Sequence, residues 1–421
     1  MLGGKAFAKP LPFPLGGNED QVIYGIDDAG LAIMQGIGMT LCRDAICWTT
    51  TASGTGFEST PGTYDATVIT AAINVAAAVK SYGMNEVFVI CTNQSPGFCP
   101  TLSSALSTGG AITSLPTSPL IYAVTSGDSI VITSGDQAHT QTFVASSGAA
   151  AGATAIPVNS QTPNFAYAGN GTVGTNTWVY DTAWDACTPQ HFATAVTYLV
   201  SELVAAGHGG LIYEWCNEPD GSAWGVDPTL LAQAFELAWT PVTSADPTCI
   251  ISGPVLENMA APAADYYEGT NYYNLFKQAG GCAYRHRQGV HQYSQIGSTT
   301  NSPPDAPNVW GFTWWQMLAN FRYNMLNVGA ADSVPIMVTE VGWPSTGSGP
   351  PAITPQLQSQ FFQNLLVLLS GKDPINNVLF SSYLDGIIIY EVTGNDSNYG
   401  IAPAGTPNPA VAVLTELVSG H

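Results

Sequence analysis

The chain alternates short apolar runs with stretches in which apolar residues recur at helical spacing. The apolar runs predict strands at 39–48, 87–91, 211–217, 249–253, 289–293, 335–340 and 384–390. Helical stretches separate them; residues 64–82, for example, end at Gly83, a residue suited to a helix C-cap. Strands that alternate with helices are typical of a parallel sheet, and we expect an α/β fold, a (β/α)8 TIM barrel.

The first barrel strand is the least distinct element of this pattern. Residues 1–25 are rich in proline and glycine, and the best candidate for the strand is Val22-Ile23-Tyr24. With it the predicted strands number eight, as a (β/α)8 barrel requires. A short helix over 27–36 is expected to lead into the strand at 39–48.

Several helix starts share one device, in which a side chain able to cap the helix precedes a proline at the first helical position. These pairs are Thr188-Pro189, Asp227-Pro228, Thr354-Pro355 and Asn408-Pro409. Each pair predicts that a helix begins at its proline.

The pattern changes between residues 102 and 178. Alternating runs at 129–132, 141–144 and 154–158 are separated by Gly, Ser, Asp and Asn, which predicts a small β-module. The barrel would then consist of residues 1–101 and 179–421, with the module inserted after strand three. Cys99 and Cys187 bracket the insertion, and we expect a disulfide to tie its ends. The module is either a surface decoration or a device for placement on a polymer or in an assembly.

Charged residues are sparse, and most of them are acidic. The 421 residues include 30 Asp and Glu against 9 Lys and Arg, which gives a formal net charge of −21. Such a surface repels phosphate backbones and anionic bilayers, so we expect neither nucleic acid nor a membrane as a partner. Abundant Ser, Thr, Asn, Gln and Gly keep the surface hydrated although charged residues are few. This composition favours an extracellular protein over a cytosolic one.

Cysteine spacing and hydropathy bear on cofactors and location. The eight cysteines lack the CxxC pairs of a zinc ribbon, and we expect neither a metal nor another cofactor. Cys42, Cys91 and Cys216 fall in predicted strands and equally suit small buried positions. No run reaches the roughly 18 apolar residues of a membrane helix, and no apolar signal-peptide core is visible. We expect an extracellular protein, or a virion protein released by lysis.

Two glutamates stand at the ends of predicted strands. Glu218 lies in LIYEWCNEPDG, where Pro219 cannot donate a further ladder bond, and Glu340 lies in PIMVTEVGWPS. In a parallel barrel both would face the carboxyl-end mouth, where the chemistry of such barrels takes place. Paired carboxyl groups suit glycosidic bond cleavage: one protonates the leaving oxygen, and the other attacks the anomeric carbon or activates water.

These stretches carry a family resemblance. YEWCNEPD and VTEVGWPS resemble the acid/base strand four and the nucleophile strand seven of the clan A glycoside hydrolases, retaining enzymes on a (β/α)8 barrel. The resemblance is to family thirty-nine and small endo-glucanase families, with GWPS similar to family seventeen. It covers residues 26–100 and 180–418 and includes the closing segment NYGIAPAGTPNPA. The inserted stretch loosely resembles small β-modules in tail proteins of actinobacterial phages.

The resemblance implies roles for particular residues. Glu218 corresponds to the acid/base and Glu340 to the nucleophile. Arg43, in MTLCRDAICW, resembles the strand-two arginine, and a buried cation needs a carboxylate, so we expect it to meet Glu340 or the substrate. His291 and Tyr293, in GVHQYS, resemble the strand-six His-x-Tyr. Tyr293 is expected to donate to Glu340, whereas His291 is either a site residue or a core histidine.

Further residues are expected to hold the sugar. Asn217 can bind the 2-hydroxyl, and Glu214 is expected to support the site from behind. Tyr390 stands at the end of strand eight, where relatives often carry Trp. The tryptophans assigned to stacking on sugar faces are Trp48, Trp224 and Trp343. Core packing accounts for most tryptophans, so these assignments compete with burial.

Two functions remain open at this point. One is a retaining glycoside hydrolase that cleaves O-glycosidic bonds of a polysaccharide or cell-wall glycan by double displacement. The other is a non-catalytic carbohydrate-binding adhesin or phage tail component on the same barrel. The intact glutamate pair favours the first. A larger virion or multi-domain assembly would suit either function.

Overall fold

Parallel strands form the centre of the molecule. The computed structural model describes residues 10–19, 21–48, 56–60, 62–91, 100–120, 123–134, 139–150, 152–169, 177–181, 189–220, 228–257, 270–293, 303–307, 311–345, 353–393 and 399–420. The barrel strands are β1 (Leu15–Asn18), β2 (Leu41–Cys47), β3 (Asn85–Cys91), β4 (Ile212–Trp215), β5 (Ile250–Ser252), β6 (Gln288–His291), β7 (Ile336–Val341) and β8 (Leu384–Ile389). The order around the sheet is β5-β4-β3-β2-β1-β8-β7-β6.

The sheet is nearly closed. Parallel bridges from Ser252 to Arg287 and from Leu256 to Val290 join β5 to β6, the two ends of the sheet. The barrel predicted from the sequence is therefore confirmed. The strands after the first one begin and end within two residues of their predicted limits.

Strand β1 is not where the sequence predicted it. Leu15–Asn18 pairs with β2 and β8, whereas Val22-Ile23-Tyr24 lies in the short helix Gln21–Tyr24, so that prediction is wrong. The sequence LGGN contains no β-branched or aromatic residue by which a strand is recognised. Gly17 leaves no room for a side chain, because a Cβ there would lie 2.4 Å from Sδ of Met34.

Helices cover the barrel and occupy most of the segments between strands. They are Gln21–Tyr24, Asp28–Ile37, Ala66–Ser81, Pro189–Ala205, Pro228–Ala245, Thr270–Gln278, Trp314–Asn327, Pro355–Leu369 and Pro409–Ser419. The prolines of all four predicted helix starts are first residues of helices. Thr354 accepts from the N–H of Leu357, and Asn408 accepts from the N–H of Ala410, as capping requires. The cap residues Thr188 and Asp227 lie outside the described residues.

The barrel interior is apolar at one end and polar at the other. The apolar cluster consists of Leu41, Val87, Ile212, Met337 and Ile388. Side chains two residues apart on a strand share a face, so Arg43 follows Leu41 and Glu214 follows Ile212 inside the barrel. The apolar cluster therefore fills the amino-terminal half, and charged side chains occupy the layer nearer the carboxyl ends.

The chain after β3 forms antiparallel sheets of its own. Ser129–Thr133 lies between Thr140–Val144 and Trp178–Asp181, and Ile112–Pro116 pairs with Ala155–Gln161. The strands predicted from alternation in this region are therefore present. The sheet also continues past the predicted limit at residue 178, because Trp178–Asp181 belongs to it.

Within the part of the chain that the structure describes, the free thiols include those of Cys42, Cys216, Cys249 and Cys282. Cys99 and Cys187 lie outside that part, so the disulfide between them stays a prediction. Among the described helices, none combines the length and the apolar character needed to cross a membrane.

Candidate active site

The end of β4 aims Glu218 into the barrel mouth. Cys216 and Glu218 have φ angles of 64° and 46°, in the left-handed region. This conformation costs a residue with a Cβ about 1–2 kcal/mol. The N–H of Glu218 donates to the carbonyl of Val255 at 2.9 Å, which holds the turn in place. Backbone strain of this kind clusters where a side chain has to be placed for function.

The carboxyl groups of Glu218 and Glu340 face each other. A carboxylate oxygen of each lies within 4.8 Å of the other and of a ring nitrogen of His291. The side chains of Glu218 and Glu340 are 16% and 12% exposed, so both are open to a ligand. In glycosidases, a separation of about 5 Å lets one carboxylate attack the anomeric carbon directly, whereas about 6.5–9.5 Å leaves room for a water.

Two donors hold Glu340. Nη1 of Arg43 donates to Oε1 at 2.7 Å, and the Tyr293 hydroxyl donates to Oε2 at 2.6 Å. Hydrogen bonds of this kind stabilise the negative charge that a nucleophile requires. Burial, followed by the charge of Glu340, raises the pKa of Tyr293 well above its ordinary value, so the phenol keeps its proton.

Arg43 also connects β2 to β1 and β4. Its Nε donates to Glu214 Oε2 at 2.8 Å, Nη1 to Asn18 Oδ1 at 3.0 Å and Nη2 to Asn217 Oδ1 at 2.9 Å. Glu214 is fully buried. Burial raises the pKa of Glu214, and the neighbouring guanidinium of Arg43 opposes that shift. Arg43 thus pairs with Glu214 as well as with Glu340, and Glu214 supports the site from behind.

His291 lies between the two glutamates. Burial lowers its pKa to about 3, against the opposing charge of Glu340, so the ring is neutral near pH 7. Because Nη2 of Arg43, at 3.2 Å from Nε2 of His291, can only donate, we assign the imidazole proton to Nδ1. Nδ1 then donates to Glu218 Oε1 at 2.6 Å. The 3.3 Å approach of Nε2 to Glu340 Oε1 is consequently not an ion pair.

A group of tyrosines lines one side of the mouth. Tyr293 and Tyr390 meet edge to face with ring centroids 6.4 Å apart, and Tyr399 lies 5.8 Å from the first and 5.7 Å from the second. All three rings are partly exposed. Tyr399 was not singled out from the sequence, although it belongs to the closing segment NYGIAPAGTPNPA.

The tryptophans assigned to sugar stacking are not available for it. Trp343 is fully buried and packs edge-on against Phe361 and Phe362. Trp48 is 2% exposed, and its Nε1 donates to Glu58 Oε2 at 2.6 Å. Both assignments are wrong, because the faces that would stack on a sugar are covered by the core. Trp224 lies outside the described residues.

A further carboxyl group, missed from the sequence, lies beside the pair. Glu257 follows β5, and its N–H donates to Asp220 Oδ1 at 2.9 Å. Burial, followed by the charges of Glu218 and Glu340, raises the pKa of Glu257 to about 7. No motif marks this glutamate. Its place depends on the bridge from Leu256 to Val290, which continues β5 beyond its regular ladder.

Two groups of side chains among the described residues have the spacing of metal ligands. They are Glu218, His291 and Glu340, and Cys42, Asp44 and Glu86. In the first group the guanidinium of Arg43 already occupies the approach to Glu340 and His291. In the second, burial and the charge of Asp44 raise the pKa of Glu86 well above its ordinary value. The atoms of the first group are therefore already engaged in hydrogen bonds, whereas in the second group both carboxyl oxygens of buried Glu86 have no hydrogen-bond partner among the described residues.

The fold is similar to that of solved glycoside hydrolases. No family model and no curated protein matches the sequence. Among solved structures, the chain is similar over 98% of its length to a family 39 glycoside hydrolase from Bacteroides cellulosilyticus WH2, with a TM-score of 0.54 and 13% identity. The chain spans 64% of that protein.

Other solved structures share the fold. The GH5_18 protein of Streptomyces cattleya gives a TM-score of 0.55 at 11% identity, with 98% of this chain and 80% of that one covered. A structure from work on two fungal β-1,4-galactanases has a TM-score of 0.52 and 13% identity to this chain. That match covers 96% of this chain and 98% of the other. These likenesses establish the (β/α)8 barrel, and the argument for activity comes from the side chains in the mouth.

Proposed function

We propose that this protein is a retaining glycoside hydrolase in which Glu218 is the acid/base and Glu340 the nucleophile. One observation carries the proposal. The carboxyl groups of Glu218 and Glu340 approach within 4.8 Å at the ends of β4 and β7. Arg43 and Tyr293 donate to Glu340, whereas His291 contacts Glu218, so the environments of the two carboxyl groups differ. Two carboxyl groups with different environments are what an acid and a nucleophile require.

In the first step, Glu218 donates its proton to the glycosidic oxygen while a Glu340 oxygen attacks the anomeric carbon. The bond from that carbon to the leaving oxygen breaks, the alcohol departs with the proton, and an ester to Glu340 forms. His291 stays neutral and directs its Nδ1–H to Glu218, which orients the acid. Asn217 is placed beside Glu218 by its bond from Arg43 and can bind a hydroxyl of the sugar.

In the second step, the Glu218 carboxylate takes a proton from water, and the water oxygen attacks the anomeric carbon. The ester bond breaks, Glu340 regains its negative charge, and the sugar leaves with its original anomeric configuration. One water is consumed in each cycle. Arg43 and Tyr293 stabilise Glu340 as the leaving carboxylate.

The substrate and the setting are also part of the proposal. A polysaccharide or cell-wall glycan is the substrate class, and the resemblance to family thirty-nine supports this choice. The acidic, lysine-poor composition supports action outside a cell or on a virion. The separate antiparallel sheets after β3 support a role in placement on a polymer or in a larger assembly, as in the phage tail modules that the sequence resembles.

Two variants test the assignment. Glu340→Ala should abolish turnover of every glycoside, because no nucleophile remains. Glu218→Ala should still form a glycosyl-enzyme from substrates with good leaving groups, since these need no proton, and azide should restore turnover. Mass spectrometry of the trapped ester and NMR of the first-formed anomer provide the readouts.

The same experiment separates the alternative function. A carbohydrate-binding protein without turnover would bind glycans but release no aryl alcohol from any activated glycoside. Equal loss for activated and unactivated substrates in Glu218→Ala would contradict the acid/base assignment. Inversion of configuration at the anomeric carbon would contradict the role of Glu340 as nucleophile.

A further inference from the structure

Glu257 stands between the strand that carries the proposed acid and the strand that carries its histidine partner. The carbonyl of Val255 accepts from the N–H of Glu218 at 2.9 Å, and the carbonyl of Leu256 accepts from the N–H of His291 at 2.7 Å. Glu257 is the next residue, and its own N–H is bonded to Asp220. These backbone bonds fix Glu257 at the mouth of the barrel.

The carboxyl group of Glu257 interacts electrostatically with both proposed catalytic groups. After burial, the largest causes of its raised pKa of about 7 are the charges of Glu218 and Glu340. Interactions of this kind fall off with distance and are effective over several ångströms. Glu257 directly follows the two residues whose carbonyls accept from the N–H groups of Glu218 and His291, so a sugar held between Glu218 and Glu340 would have Glu257 as a neighbour.

The mouth offers little positive charge to balance a negative substrate. Of the nine Lys and Arg in the chain, all but Lys5 and Lys9 lie in the described residues. Six of them lie on helices or in segments that lead into strands: Lys80, Lys277, Arg285, Arg287, Arg322 and Lys372. The remaining one is Arg43, which already donates to two glutamates and two asparagines.

The segments that follow the strand ends in the chain contain no Lys or Arg, and all of them except 342–354 contain Asp or Glu. They are residues 19–27, 48–65, 92–188, 216–227, 253–269, 292–313, 342–354 and 390–408. In a barrel of this type, such segments supply the contacts to the substrate. The absence of Lys and Arg is a property of the sequence and holds whatever conformation these segments adopt.

We propose that the site selects uncharged glycosides and excludes uronides and other anionic sugars, with Glu257 as the residue that sets this preference. The inference rests on the proposed glycosidase function and names its substrate class. A C6 carboxylate about 6 Å from ionised Glu257, at an effective dielectric constant of about 20, would weaken binding about a hundredfold. Glutamine at this position has a similar shape and lacks the charge.

The test uses pairs of aryl glycosides that differ only at C6. Glucoside against glucuronide and galactoside against galacturonide share stereochemistry within each pair, so the unknown sugar preference cancels. Measurements of kcat/KM at pH 8, where Glu257 is mostly ionised, are made for the wild type, Glu257→Gln and Glu416→Gln. Glu416 is an exposed residue of the helix Pro409–Ser419, so its variant removes the same charge away from the mouth.

The neutral member of any cleaved pair should be preferred by about a hundredfold or more. Glu257→Gln should reduce that ratio at least tenfold, and Glu416→Gln should leave it unchanged. A wild type that cleaves the uronide as well as the neutral sugar would overturn the inference. An unchanged ratio in folded Glu257→Gln would overturn the role of Glu257.

Binding provides a second readout. NMR titration of Glu340→Gln with neutral oligosaccharides and with the same sugars oxidised at C6 should show weaker binding of the oxidised forms. Equal or tighter binding of the oxidised forms would overturn the inference even without turnover. Absence of both turnover by the wild type and binding by Glu340→Gln would overturn the proposed function, and this inference with it.

Discussion

Replacement of Arg43 by methionine is expected to destabilise the fold and to impair turnover for separable reasons. The guanidinium is the hydrogen-bonding partner of Glu214 Oε2 at 2.8 Å, and Glu214 is fully buried. Removal of one partner from a buried ion pair costs about 3–5 kcal/mol, because the other charge is left without compensation. The loss should be smaller at pH 5.5 than at pH 8, since Glu214 without Arg43 can take up a proton.

A second substitution separates stability from activity. In Arg43→Met/Glu214→Gln no buried charge is stranded, so more than half of the lost unfolding free energy should return. Turnover should stay low, because Glu340 still lacks the donor at 2.7 Å on Oε1. Loss of one such donor to a developing charge lowers kcat about 100- to 1000-fold.

Urea denaturation followed by circular dichroism, at pH 5.5 and 8, measures the first effect, and kcat on an aryl glycoside measures the second. Arg287→Met is the matched control. Its partner Asp385 has a side chain that is 35% exposed, so the expected cost is about 1 kcal/mol or less. The reasoning is refuted if Arg43→Met is as stable as the control variant, or if the double variant is no more stable than Arg43→Met.

The remaining predictions concern pH, the module and the cysteines. Burial raises the pKa of Glu19 to about 8, so the stability that its protonated form contributes is complete below the unfolded value of about 4.5 and is lost as pH rises through 8. Between pH 5 and 8 the wild type should lose about 3 kcal/mol that Glu19→Gln does not, and parallel urea curves would contradict this. Deletion of residues 102–181 with a Gly-Ser bridge should leave kcat on an aryl glycoside nearly intact and weaken action on a polymer. If a folded deletion variant lost more than about a hundredfold in that kcat, equal to about 2.7 kcal/mol, the module would be part of the active site. Non-reducing peptide mapping should find Cys99 linked to Cys187, and two free thiols would remove the tie.

The sequence by itself determined the parts of the molecule that depend on local periodicity. Apolar runs and helical spacing located β2 to β8, and the prolines of Thr354-Pro355 and Asn408-Pro409 located helix starts, because these signals arise from neighbours in the chain. The alternation of strand side chains places Arg43 and Glu214 inside the barrel. The glutamates could be found for the same reason, since the end of a strand and the mouth of a parallel barrel coincide.

Tertiary structure decided whatever depends on residues distant in the chain. The strand LGGN has no local signal, and its glycines are explained only by distant neighbours, since a Cβ would meet Leu41 at Gly16 and Met34 at Gly17. From the sequence, Trp343 is an aromatic residue near a strand end and a candidate for sugar stacking. In the structure it is buried because it packs against Phe361 and Phe362. Glu257 lies beside Glu218 because backbone bonds join three strands that are far apart in the sequence. The burial and the electrostatic environment of a side chain depend on all the residues that surround it in space. The order of residues along the chain does not show which residues those are.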